Sequence, residues 1–238
     1  MNELAQIILL TLFAGIAMPL GAFLASIEKI RPQWLENDLR HGVIAFGGGA
    51  LLSAIALVLV PDGIHNLSII PVITCFAAGG IIFMFLDLRL AANDKPLSQL
   101  TAMLSDFIPE ALALGATFTF SKEAGVLLAG LIALQNVPEG FNSYREIKTS
   151  TKYSCLQIIG AFTLMALLGP IAGVTGYFLL SDYPHVVSGI MLFAAGGILY
   201  IIFQDIAPQV KIEKHWVPPL GAVAGFLLGI IGHMLVGG

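Results

Sequence analysis

Apolar residues fall along this chain in eight long runs separated by short polar stretches, without the one-sided periodicity of a helix lying on a water-soluble core. A bilayer span needs about 20 mostly apolar residues. Runs of that order occupy residues 6–27, 42–63, 68–90, 99–121, 123–145, 154–180, 184–208 and 216–236. The pattern predicts an all-α integral membrane protein with eight transmembrane helices in a single domain over residues 1–238. No soluble domain, low-complexity stretch or long linker is left between the runs. The first run is read as a span and not a signal peptide, because it lacks a basic leader and exceeds the usual apolar length of one. Glu3 is its only early charge.

The basic residues orient these spans. Lys29, Arg31 and Arg40 lie between the first two; Arg89 and Lys95 lie at and beyond the end of the third. Arg145, Lys148 and Lys152 follow the fifth, and Lys211 and Lys214 follow the seventh. Ten of the eleven basic residues thus fall on alternate, same-side connections, with Lys122 alone opposite. Basic loops stay cytoplasmic, so an eight-span chain in a cytoplasmic (inner) membrane has both termini outside.

Composition agrees and removes other classes. The chain is 57% hydrophobic and 11% charged, with a mean hydropathy of +0.90, whereas soluble domains carry about 25% charged residues. A net charge of −4 gives no basic footprint for nucleic acid. The two cysteines, Cys75 and Cys155, sit in apolar runs and form neither a CxxC pair nor a disulfide framework. The segment FAAGGI occurs twice, at 76–81 and 193–198. Two accounts stand: an internal duplication, or two helices using small residues for close packing, the commoner device.

Ionisable groups at mid-bilayer cost about 2.5–3.5 kcal/mol each on insertion scales and mark function by default. Asp62 is placed at an outer span end, and Asp87 and Asp205 at inner ones, where hydration is the ordinary outcome. Asp106, Glu110 and Glu139 lie deep with no Lys or Arg at their level. Together they would cost about 8–10 kcal/mol unless they are protonated or share a cation. Asp106 and Glu110 are i,i+4, as are Gln135 and Glu139, so each pair shares a helix face. A reversal near Ser121 and Lys122 would set Glu110 level with Gln135 and Asp106 level with Glu139. Pro109 and Pro138 each precede a glutamate. A helix proline leaves the carbonyl four residues earlier without its bond, here Ser105 and Leu134, adding oxygen ligands beside the acids.

These motifs resemble those of the ZIP (zinc/iron-regulated-transporter-like) family of divalent-metal transporters. Gln135-Asn136-Val-Pro138-Glu139-Gly140 is similar to that family's fifth-helix HNxPE motif. Asp106-Phe107-Ile-Pro109-Glu110 looks like its fourth-helix counterpart with the usual histidine and asparagine replaced. Val60-Pro61-Asp62 and Gln204-Asp205-Ile-Ala-Pro208 also fit. The resemblance implies a ZIP-like bundle, uptake of a divalent metal, a homodimer, and a midplane site from Asp106, Glu110, Gln135 and Glu139, with Asn136 peripheral. In the family a second metal uses the fourth-helix asparagine, here Phe107, and a sixth-helix glutamate, replaced here around Gly169-Pro170. One bound metal is therefore expected. An all-oxygen donor set suits manganese or iron as well as zinc. Zinc leads by family habit, with Mn²⁺, Fe²⁺ or Cd²⁺ as alternatives, each as transported substrate and not as a catalytic cofactor.

Further candidates for the ion's pathway are Asn142, one turn beyond Glu139; Asp87, Gln204 and Asp205 as a cytoplasmic relay; and Asp62 with His65 at the outer end. Helix–helix hydrogen bonding or plain hydration is the alternative for each. Two other functions compete. A proton-coupled carrier of another solute would use the carboxylates alone. An intramembrane metallohydrolase would need histidine ligands and an open water position, but all five histidines sit at span ends or in connections. The expected protein is a transporter and not an enzyme, with a metal ion and the lipid bilayer as its partners.

Overall fold

A computed structural model describes residues 2–27, 33–91, 96–180, 182–210 and 216–237. Lys29, Arg31, Lys95, Lys211 and Lys214, used above for orientation, lie outside the described residues. Among the described residues the chain is helical and has no strand. Helix α1 is Glu3–Ile27. Helix α2 begins as Gln33–Ala54, passes through a π-helical turn at Ile55–Leu59 and ends as Val60–His65. Helices α3, α4 and α5 are Ile69–Ala91, Pro96–Phe120 and Lys122–Ser150. Helix α6 has two pieces, Cys155–Ala166 and Leu168–Leu180. Helix α7 runs from Pro184–Ile201 through a second π turn, Ile202–Ile206, into Ala207–Gln209, and α8 is Val217–Gly237.

Seven of these rods are long and apolar enough to cross a membrane among the described residues; in α4 the described apolar stretch is Phe107–Phe118. The N-terminal half of α4 is diluted by Ser98, Gln99, Thr101, Ser105 and Asp106. Helices α2 and α5 also outrun the expected spans, because a helix need not stop where the hydrocarbon does.

Proline explains the three interruptions. The N–H of Val60 bonds to the carbonyl of Ile55, and that of Ala207 to Ile202, five residues back instead of four. Pro61 and Pro208 follow immediately. Neither can donate to the carbonyl four residues earlier, and the turn ahead of each widens to absorb the defect. Pro170 likewise has no N–H to give the Ala166 carbonyl, and α6 breaks at Leu167.

Four extensive seams hold the bundle: α1 on α5, α2 on α8, α3 on α7, and α4 on the second piece of α6. Every one is parallel. Along α1 and α5, Ala14 meets Asn136, Met18 meets Gly140 and Gly21 meets Val137. Each seam brings glycines against facing backbone: Gly21 and Gly140, Gly49 and Gly225, Gly79 and Gly196, Gly115 and Gly176. With no hydrophobic drive between helices in lipid, such backbone proximity supplies the van der Waals attraction. The two FAAGGI segments turn out to face each other. Gly79 abuts the Phe193 carbonyl, Gly196 abuts the Phe76 carbonyl, and the Phe83 ring lies edge-on to Phe193 at 6.1 Å. The repeat is a packing seam.

Helix α4 turns back into α5 through Ser121 alone, whose hydroxyl accepts the Ala124 N–H at 3.1 Å as an N-cap. Lys122, the lone basic residue expected on its side, pairs with Glu3 at 2.8 Å, and the Tyr177 hydroxyl also donates to Glu3. Helices α3 and α8 are peripheral. Their outer faces expose Ile69, Ile70, Val223 and Met234, apolar surface suited to lipid.

Candidate metal site and its cavity

The single-residue reversal at Ser121 sets α4 and α5 antiparallel. Helical spacing then decides which side chains meet. Glu110 is 2% exposed and Gln135 3%. The Gln135 amide nitrogen donates to both carboxylate oxygens of Glu110, at 2.7 and 2.9 Å. A buried carboxylate with only a neutral amide for company is charge-uncompensated, and a paired partner or a metal is what ordinarily retains such a group. The Gln135 carbonyl oxygen Oε1 is buried with no hydrogen-bond partner.

Glu110 and Gln135 line a cavity of about 150 Å³ together with Pro138, Glu139, Asn142 and Asp205, walled by Gly47 of α2 and Met103 of α4. None of its described lining residues is basic. No hydrogen bond to the Glu139 carboxylate is found among the described residues. The Asn142 oxygen Oδ1 is also buried without a partner. Two carboxylates and two amide oxygens with unused acceptor capacity thus line one cavity. Oxygen sets of this kind suit hard and borderline divalent cations. Among the described residues no three His, Cys, Asp or Glu side chains are grouped closely enough to hold a metal by themselves. The amide oxygens would have to take part.

The remaining candidates separate. The backbone of Asp106 lies one turn before Glu110 in α4, and its side chain is outside the described residues. Asn136 is 1% exposed and donates to the Ala14 carbonyl of α1 at 2.9 Å, so its side chain ties α5 to α1 and does not line the cavity. Asp205 does line it; Gln204 and Asp87 do not. Asp87 instead accepts from the Tyr200 hydroxyl at 3.0 Å. Asp62 and His65 sit on the last turn of α2, beyond the cavity-lining Ile44, Gly47 and Leu51, and are not among the described lining residues. The prolines leave α4 and α5 continuous. Leu134 is not among the described lining residues, so its carbonyl is not presented there. The Pro138 ring rests on Gly47 at a depth where a methyl group would meet it at 3.0 Å.

Sequence reasoning missed three elements. Glu146 and Gln209 also line the cavity. On α5, residues 135, 139, 142 and 146 follow i, i+4, i+7 and i+11, a stripe legible from spacing alone. The π turn of α7 is the second: it brings Asp205 and Ile206 to the wall. The packing of Phe107 is the third. This residue is 1% exposed, and its ring fills a slot between Gly15 and Gly169, where added Cβ atoms would lie 2.9 and 2.7 Å from its tip.

No family model matches the chain, and no curated protein matches it. What the fold establishes is the class: a multi-pass helical membrane protein.

Proposed function

We propose that the chain is a ZIP-like transporter that carries a divalent transition-metal ion, zinc first and manganese or iron next, across the membrane into the cytoplasm. The observation that carries this is the buried Glu110–Gln135 pair beside Glu139, lining a cavity with unused amide oxygens and no basic residue in its described lining. A divalent ion cannot cross hydrocarbon without replacement ligands for its water, and this group supplies them. The stripe through Asn142 and Glu146, with Asp205 opposite, leads from the group toward the Arg145–Lys148 end of α5, which the charge pattern makes cytoplasmic. The ZIP resemblance puts ligands of a second metal at the positions of Phe107 and Gly169, and the absence of a ligating group at either, with the Phe107 ring packed between Gly15 and Gly169, supports a single ion.

The test is radiolabelled zinc uptake into proteoliposomes, with Mn²⁺ and Fe²⁺ as competitors and metal titration of the purified protein. Saturable zinc uptake and one midplane ion per chain are expected. Two midplane ions would remove the single-site proposal. Zinc uptake that ignores excess Mn²⁺ and Fe²⁺ would restrict the substrate to softer metals.

Eight crossings with both termini outside complete the proposal. Strict alternation requires odd-numbered helices to run parallel to odd and even to even, as all four seams do. In a chain with Cys75 and Cys155 replaced by alanine, a Lys122→Cys variant is expected to react with an impermeant thiol reagent from outside the cell. Lys152→Cys should react only after the membrane is opened. Reaction of both from one side would defeat the topology.

A further inference from the structure

A second, larger space lies between α7 and α8. Although consecutive, these helices scarcely touch, since α8 packs along α2 and, to a lesser extent, α5. The gap is a groove of about 540 Å³, floored by Gly48, Gly49 and Ala222 and walled by Ile206, Ala207 and Phe226. Every described lining residue is apolar, so water or a polar solute would find no hydrogen bond there. The groove is continuous with the outward surface of the two helices, where Phe203 is 68% exposed and Val223 61%. Its volume also limits the occupant. A helix about 10–12 Å across would use the whole space for little more than one turn, whereas a methylene chain fits lengthwise.

Ile206 gives the groove its importance. The same side chain lines the cation cavity on its other side. On α2 the neighbouring glycines divide likewise: Gly47 lines the cavity and Gly48 the groove. Gly48 lies so close to Ile206 that an added Cβ would come within 2.8 Å of its Cγ2. The partition between the bilayer and the ion's route is one side chain thick at this point. It hangs from the π turn Ile202–Ile206, whose ladder is already interrupted. An empty groove would leave that turn without packing on one face, and the lining would lose those dispersion contacts outright.

We propose that the groove between α7 and α8 binds an acyl chain of a membrane lipid, which backs Ile206 and completes the wall of the cation cavity. The groove's occupancy depends only on the protein lying in a bilayer; the consequence for transport rests on the metal-carrier proposal.

The test uses the full chain in vesicles, with Trp34 and Trp216 replaced by phenylalanine and a single reporter, Phe226→Trp, in the groove. Phe178→Trp, at a position 63% exposed on α6, serves as the lipid-facing control. With phospholipids brominated on their acyl chains, both reporters are expected to be quenched to a similar extent. Adding Ala207→Phe, which fills the groove from α7, should cut quenching of Phe226→Trp at least twofold and leave the control unchanged. Quenching of the control alone would overturn the proposal, as would quenching at the groove that Ala207→Phe does not reduce. These arms need no transport, so they stand even if the wild-type chain moves no metal. In active vesicles, Ile206→Ala should lower zinc uptake about tenfold, and unchanged uptake would remove the partition role.

Discussion

Replacing Glu110 and Glu139 together by alanine is expected to reduce radiometal uptake into proteoliposomes to the level of empty vesicles, a loss of at least about 100-fold. Altering groups that merely orient metal ligands costs about 10–100-fold in affinity or activity, and here two anionic ligands are removed at once. The double variant leaves the cavity with only amide oxygens to replace the ion's water. It also removes the acceptor for the Gln135 amide, whose bonds of 2.7 and 2.9 Å both go to Glu110. An orphaned buried donor costs about 1–3 kcal/mol, so part of any lost uptake could come from a less stable protein. Glu110→Gln separates the two effects. It preserves volume, offers an oxygen to Gln135 and removes the charge. Its thermal midpoint should stay near wild type while uptake falls about 10–100-fold. Uptake equal to wild type in the double variant would defeat the site assignment whatever the stability.

The approach of α4 to α5 was legible because two periodic constraints and one short turn leave little freedom. Glu110 and Gln135 flank a reversal of one residue at nearly equal distances, and helical geometry places equal distances at equal depth. Seven long apolar helices were legible for a similar reason, since hydropathy reports the solvent directly. What escaped was whatever depended on a distant partner. Asn136 lies beside Gln135, but its fate is set by the Ala14 carbonyl, 122 residues away. Phe107 could be seen as a departure from a metal-binding motif, yet its slot is made by Gly15 and Gly169 from two other helices. The FAAGGI segments announced themselves as a repeat, and that they pack on each other is knowledge only of the folded pair. Proline positions were plain, but a widened turn and a broken ladder are alternative answers to the same missing N–H. The chain takes the first at Pro61 and Pro208 and the second at Pro170.

Gly140→Val should cost about 3 kcal/mol or more, the largest loss of stability among the seam positions that also reach the site. A Cβ at residue 140 would come within 2.8 Å of the Met18 carbonyl carbon and 2.9 Å of its Cα, besides overlapping the carbonyl oxygen. These are backbone atoms of a packed helix and cannot rotate aside. Overpacking a well-filled interior costs about 1–3 kcal/mol, and more where only the backbone can yield. The opposite side of the seam offers no relief, because Gly21 already stands 2.9 Å, measured from its own added Cβ, from the Val137 carbonyl carbon and the Phe141 nitrogen. Helix α5 would have to move off α1, stretching the 2.9 Å Asn136–Ala14 bond and carrying Gln135 and Glu139 with it. Both the thermal midpoint in detergent and metal affinity should therefore fall together. Gly130→Ala and Gly160→Ala supply the contrast, since nothing lies within 4 Å of an added Cβ at either. Alanine in place of an open helical glycine gains up to about 1 kcal/mol, so these variants should match or exceed wild type. Wild-type stability in Gly140→Val would mean that α1 and α5 are not in backbone contact, and the parallel seam that positions the site would have to be abandoned.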